Sequence, residues 1–240
     1  MPITSPQNDK LKTLRKLRQR RRERDRLGQF VAEGEDLLAA ADAAGWNPVE
    51  RFAVSGSDLP GTEVDPVALQ SVSELASGTR TLAIYSERWE AAPLGRLCVY
   101  LHGVSDPGNV GTVLRSAAAF GASCVAFGAG TADPFSPKAV RASMGAIFSV
   151  PVARATPAAL PGTTIALDAN ADRTLADVAS ELSTDGEFSL LVGAERQGLP
   201  DDVIAAADHA ARIPIVTESL NAAMAAAVAL YELTRRISAA

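Results

Sequence analysis

Cysteine is nearly missing from this chain of 240 residues. Cys98 and Cys124 are the only two, and neither sits in a C-x-x-C pair or beside a histidine, which argues against a disulfide scaffold or a zinc site and fits a reducing cytoplasm. Both lie at the starts of apolar runs and read as core residues. Histidine is as scarce: His102 and His209 fall outside any motif and read as structural. No long hydrophobic run occurs. The longest, around residues 222–230, is short and alanine-rich, and the opening MPITSPQNDKLK has no apolar signal region, so a soluble protein without a membrane span is expected. Phosphate-binding loops are missing too. There is no G-x-G-x-x-G and no Walker lysine, and Gly128-Ala129-Gly130 runs into Thr131-Ala132-Asp133, which counts against nicotinamide and nucleoside triphosphate readings.

What is present is a globular composition, 47% hydrophobic and 21% charged. That excludes disorder and collagen and suffices for one large domain or two small ones. The formal charge of −5 hides an asymmetry. Residues 10–26 carry Lys10, Lys12, Arg15, Lys16, Arg18, Arg20, Arg21, Arg22, Arg24 and Arg26 against Glu23 and Asp25, a local net of +8. Such a block is either a polyanion-binding element or a solvated helix face. Leu11, Leu14 and Leu17 recur every third residue, which predicts an amphipathic helix with a narrow apolar edge.

The first 90 residues alternate helix and strand signals. After the basic helix come a short strand in FVAEG, a helix over Asp36 to Ala44, strands in RFAVSG and TLAIYS, and a helix near Val67 to Leu75 between them. A compact α/β unit over 1–90 is expected, with 91–96 as linker and 97–240 as a second unit. In the second unit CVYLHG, SCVAFG, TTIALDA, FSLLVGA and AARIPI are short apolar runs separated by helical stretches. They predict a mostly parallel sheet covered by helices, closed by a long helix from Ser219 to about Ile237.

Open parallel sheets bind ligands at the carboxyl ends of their strands, and three loops there stand out. The first, Asp106-Pro107-Gly108-Asn109, leads into a helix carrying Arg115. These two residues are six apart, about 600° around a helix, so both reach one cleft only if Asn109 sits at the helix start; the alternative is a plain N-cap and a surface charge. The second is Gly193-Ala194-Glu195-Arg196-Gln197-Gly198-Leu199-Pro200, either a backbone approach to a ligand with Glu195 beside it or an ordinary strand-to-helix turn. The third, Ile213 to Asn221, precedes an alanine-rich helix for which Ser219 is a good N-cap. Capping and close packing could explain it alone.

In this order the three loops resemble the SpoU (TrmH-type) branch of the SPOUT RNA methyltransferases. DPGNVGTVLRSAAAFGA is similar to the family's first motif, LLVGAERQGLP to the second and IPIVTESLNAAMAAAVALYE to the third, while PFSPKAVRASMGAIFSVPV resembles the segment between the first two. Ser116 stands where threonine is common, and the third motif is shorter between Ile215 and Ser219 and lacks a glycine often found there. SPQNDKLKTLRKL with GQFVAEGEDLL is similar, more loosely, to the small substrate-binding domain related to ribosomal protein L30e.

The resemblance implies a trefoil-knotted α/β methyltransferase domain behind an L30e-like unit, a homodimer, S-adenosylmethionine as cofactor, no metal, and tRNA or ribosomal RNA as substrate. It assigns catalysis to Asn109, Arg115, Glu195, Ser219 and Asn221 and cofactor contacts to Gly193, Ile213 and Leu220. The resemblance permits Arg115 as a base or as a charged group; the latter, stabilising the developing alkoxide of a ribose 2'-hydroxyl and holding the adjacent phosphate, is preferred since a guanidinium remains a donor at neutral pH. Lys10, Lys12, Arg15, Lys16, Arg18, Arg20, Arg21 and Arg22 are the expected RNA contacts. The alanines of the last helix, Ala226 among them, would face a second copy. Two alternatives are a non-catalytic RNA-binding or ribosome-associated protein with the same fold, and an unrelated α/β enzyme using a small nucleotide.

Overall fold

The computed structural model describes residues 2–73, 78–217 and 219–237. The basic segment opens the fold. Helix α1 (Asp9–Gln19) is capped by the Asn8 side chain, and Leu11, Leu14 and Leu17 have no exposure, packing in one cluster with Phe52, Leu69 and Leu82. Each buried leucine contributes about 1.5–3 kcal/mol. The basic run is therefore structural on one edge. The single helix expected there is divided: Arg20 is extended and α2 (Arg21–Leu27) starts anew. The cause is Arg24, whose guanidinium caps the end of α1 by donating to the carbonyl of Leu17 at 2.7 Å and also pairs with Asp133 at 2.8 Å.

Strands β1 (Gln29–Glu33), β2 (Glu50–Val54), β3 (Thr62–Val64) and β4 (Thr81–Ser86) form a sheet of order β1-β4-β2-β3. Helices α3 (Glu35–Ala43) and α4 (Pro66–Gln70) connect them. The helix expected near 67–75 is this shorter α4, ending at Gln70; residues 74–77 lie outside the described residues.

The second sheet holds β5 (Leu97–Leu101), β6 (Cys124–Phe127), β7 (Val152–Arg154), β8 (Thr163–Leu167), β9 (Phe188–Val192) and β10 (His209–Ala211), in the order β10-β8-β9-β5-β6-β7. Every pairing is parallel. The five apolar runs appear as strands, and β7 joins them. Between strands lie α5 (Pro107–Ala119), α6 (Pro137–Ala142), α7 (Leu175–Glu181) and α8 (Asp201–Ala206), and α9 (Ala222–Ile237) follows β10.

The two sheets share one apolar cluster. Phe30, Trp46 and Tyr85 from the first pack with Phe135 and Phe148 from the second: Phe30 and Phe135 lie 4.8 Å apart and Trp46 and Phe148 5.2 Å. The Trp46 indole N–H donates to the Phe148 carbonyl at 2.8 Å. Trp89 packs on Phe127 and Phe135, and the Glu90 N–H bonds the Val152 carbonyl, so the chain is pinned just before residues 91–96.

Candidate active site

The carboxyl ends of β5, β8, β9 and β10 point to one side, as a parallel sheet requires, and the loops leaving them meet there. At the start of α5 the Asp106 carboxylate accepts from the Gly108 N–H and from Lys138, both at 2.7 Å. The Lys138 ammonium, with the Gly108 N–H, holds this carboxyl below the usual carboxylate range. Asn109 is the third helical residue, fixed by that cap.

A directed relay follows. Asn221 uses its side-chain oxygen to accept from the N–H groups of Ala223 and Met224, capping α9. Its amide nitrogen is thereby turned outward and donates to the Asn109 side-chain oxygen at 3.1 Å. The Asn109 amide nitrogen then faces Glu195 and donates to Oε1 at 2.6 Å. Each amide has one way to face, because the backbone N–H groups at the start of the relay only donate. Asn221, not Ser219, caps the last helix, two residues later than expected. Ser219 is exposed, and its carbonyl accepts from the Thr217 hydroxyl.

Beside the relay lies a cavity of about 400 Å³, within the size range of small-molecule sites. Its apolar walls include Leu167, Val192, Leu199 and Ile213, and Gly193, Glu195, Ser219 and Leu220 line it as well. Gly193 is required by close approach: a Cβ there would lie 2.1 Å from the Gly198 carbonyl carbon. The loop can fold back on itself only without that atom, which Ala194 and Gly198 secure by exchanging backbone hydrogen bonds at 3.1 and 2.9 Å. Asp168 and Asp201 join Glu195 in the lining against Arg196, a surplus of carboxylates suited to a cationic ligand. The sequence reading passed over the two aspartates; the only signal for Asp168 was its place at the end of TTIALDA.

Arg115 is elsewhere. Six residues past Asn109, its exposed side chain turns into a separate cleft between α5, α3 and the 143–149 turn. The expectation that Arg115 and Asn109 reach one cleft is not met within one chain, because six residues fall about a third of a turn short of two whole helical turns. The basic residues also divide. Arg18 is buried, its side chain 4% exposed, and paired at 2.6 Å with Glu33, itself 8% exposed; it also donates to the Val72 carbonyl. It is a core ion pair and not an RNA contact. Lys10 is paired with Glu50 and Lys12 with Asp9, while Arg15 reaches the Pro6 carbonyl and Ser71. Lys16, Arg20, Arg21 and Arg22 are exposed.

Comparison with known proteins gives the family. The model of the SpoU rRNA methylase family matches residues 96–231. The chain belongs to the SpoU rRNA methylase family. A second model, the MRM3-like substrate binding domain, matches residues 8–85. Among SpoU relatives, the 23S rRNA (guanosine(2553)-2'-O)-methyltransferase RlmP of Bacillus subtilis is 29% identical over 96% of this chain and 98% of its own. The AdoMet-bound rRNA methyltransferase from Sinorhizobium meliloti superposes with a TM-score of 0.85 at 29% identity, covering 98% of this chain and 97% of that one. The SpoU methyltransferase AviRb from Streptomyces viridochromogenes, in complex with AdoMet, gives 0.83 at 26% over 96% and 98%. The carboxylate-bearing cavity with apolar walls fits a cationic sulfonium cofactor carrying an adenine.

Proposed function

We infer that this SpoU protein methylates a ribose 2'-hydroxyl of RNA with S-adenosylmethionine, ribosomal RNA being the substrate class its relatives favour. The observation that carries the reading is the Asn221–Asn109–Glu195 relay at the rim of the cavity. Gly193, Ile213 and Leu220 would hold the cofactor, which when bound supplies an activated methyl group on a sulfonium. The remaining task is to orient a poor nucleophile and stabilise the charge it develops. Asn109, kept in one orientation by its two partners, positions the ribose. Arg115 donates to the developing alkoxide and to the neighbouring phosphate. Ser219 stands at the cavity wall as a further polar group.

Because Arg115 is apart from the relay within one chain, the working site is composed from two copies, each bringing Arg115 to the other's relay. A seat for the second copy is available on α9. The alanine face expected there is instead internal, with Ala222, Ala223, Ala226 and Ala229 buried and α9 packed on α5 and α7. The exposed apolar residues are Met224, Val228 and Tyr231, with Ile215 and Val216 in the preceding loop. A trefoil knot would lie where the Gly193–Leu199 and Ala211–Leu220 segments converge. Residues 1–90 would bind RNA through Lys16, Arg20, Arg21 and Arg22, and residues 97–240 would transfer the methyl group, in the cytoplasm and without metal. The test is incubation with labelled S-adenosylmethionine and separate ribosomal and transfer RNA pools, followed by nucleoside mapping. Label in a 2'-O-methylnucleoside is expected; an unlabelled result in every pool would overturn the reading.

A further inference from the structure

The cleft that receives Arg115 has a feature the catalytic reading does not use. It measures about 570 Å³ and opens between α3, α5 and the Ser143–Ser149 turn. Ala40, Ala43 and Ala44 form one wall, Arg115 and Ala118 another, and Met144 closes the third. Met144 is the one described non-glycine residue with a positive φ, at 50°. It is also 59% exposed, so a large apolar side chain is held on costly backbone to face solvent. A side chain presented this way points from strain to a use.

The surroundings over-determine that conformation. Ser143 is fully buried, its hydroxyl donating to the Val140 carbonyl and accepting from the Ile147 N–H. Gly145 abuts α3 so closely that a Cβ on it would lie 2.6 Å from the Ala40 Cβ. The turn is clamped on both sides of Met144, which cannot relax inward. The only charge in the lining is Arg115, which has no hydrogen bond or ion pair among the described residues. A cleft with flat apolar walls, a polarisable thioether and one unpaired cation suits a planar ring joined to an anion.

We propose that this cleft seats a nucleobase of the substrate RNA, stacked on Met144, while Arg115 holds the same nucleotide's ribose and phosphate. Met144 is thus a positioning residue for the acceptor. The proposal rests on RNA being the substrate, and it deepens that reading by naming where the base goes. Charge favours a nucleotide as this occupant, since Arg115 is the one charged group in the lining and calls for an anion beside the apolar walls.

The test exploits a chain with three methionines, Met1, Met144 and Met224. Full-length protein labelled at the methionine methyls is titrated with the four nucleoside 5'-monophosphates and, separately, with inorganic phosphate, and Met144→Leu assigns the signal. An upfield ring-current shift of the Met144 methyl with mononucleotide, absent with phosphate and absent at Met224, is expected. A Met144 methyl unmoved by every nucleotide would overturn the proposal. So would a Met144 shift of the same size with inorganic phosphate alone, since no ring is then seated on the methyl. In parallel, Met144→Ala should raise KM for RNA about two- to tenfold, with kcat, cofactor affinity and mass in solution unchanged. Methyl transfer by the parent protein with an unaltered KM in the variant would remove the base seat and leave the function standing. A ring-current shift in a protein that transfers no methyl group would do the reverse.

Discussion

At the scale of single residues, chemistry and support are separated by which neighbours a side chain meets. Asn109 is gripped by Asn221 and Glu195 but does not line the cavity. Asn109→Ala should lower kcat about a hundredfold through lost positioning and leave cofactor affinity within a few fold. Arg115→Ala should abolish transfer with the same retained affinity, and calorimetry beside a transfer assay reads both. Normal turnover in either variant would remove the assigned role. The basic segment divides in the same manner. Arg18→Ala removes one cation from the buried Glu33 carboxylate, which keeps the Ser73 hydroxyl, and should cost about 1–3 kcal/mol in denaturant unfolding. Arg22→Ala, on an exposed side chain, should stay within about 0.5 kcal/mol while weakening RNA binding and flattening its salt dependence. The spacing held the clue to Arg18: it lies seven residues past Leu11 and four past Leu14, on the apolar edge itself. Charge alone hid it among its neighbours, and only Glu33, brought in by the fold, turns it into a core pair.

At the scale of elements, the apolar strands of the second sheet were legible and the three-residue strands β3 and β7 were not. β5, β6 and β9 are continuous buried runs of the kind a parallel sheet demands, and β8 is buried at Ile165 and Ala166. β3 and β7 have three residues each, too few for any periodicity, and are fixed by tertiary pairing with β2 and β6. The break between α1 and α2 was equally hidden, because its cause is a cap from Arg24. The loops carrying Asn109, Glu195 and Asn221 were legible through their motifs, whereas the cleft around Arg115 depends on α3, a partner no motif announces. Packing of α5 on α6 provides a test at this scale. A Cβ on Gly111 would fall 2.3 Å from the Ala139 carbonyl oxygen and 2.7 Å from the Ala142 Cβ. Gly111→Ala should therefore destabilise the protein by about 1–3 kcal/mol. It should also reduce turnover, since α5 carries Asn109 and Arg115 together; a melting temperature and kcat equal to those of the parent would contradict this packing.

At the scale of the whole molecule, the basic segment is no detachable arm. Leu11, Leu14 and Leu17 fill the first sheet's core, and Arg24 ties the segment to Asp133 beyond the second sheet's β6. Removing residues 1–26 would strip that core, so the RNA contribution is better read from the exposed arginines. The aromatic cluster across the two sheets makes them one packed body, so RNA bound on the first, as proposed, would be held at a fixed distance from the relay. Completion of the site by a second copy predicts a dimer at micromolar concentration by mass in solution. Tyr231→Glu, on the exposed face of α9, should shift it toward monomer and lower transfer in proportion. A monomeric parent protein with full activity would contradict the composite site. The claim on which everything else stands is that the methyl group goes to a ribose oxygen, and alkaline cleavage of the methylated RNA tests it most directly. Cleavage needs the 2'-oxygen to attack the adjacent phosphate. A single alkali-resistant linkage at the labelled nucleotide is the predicted result; label on RNA whose ladder is complete at every position would mean base methylation and would contradict the roles given to Arg115 and Asn109.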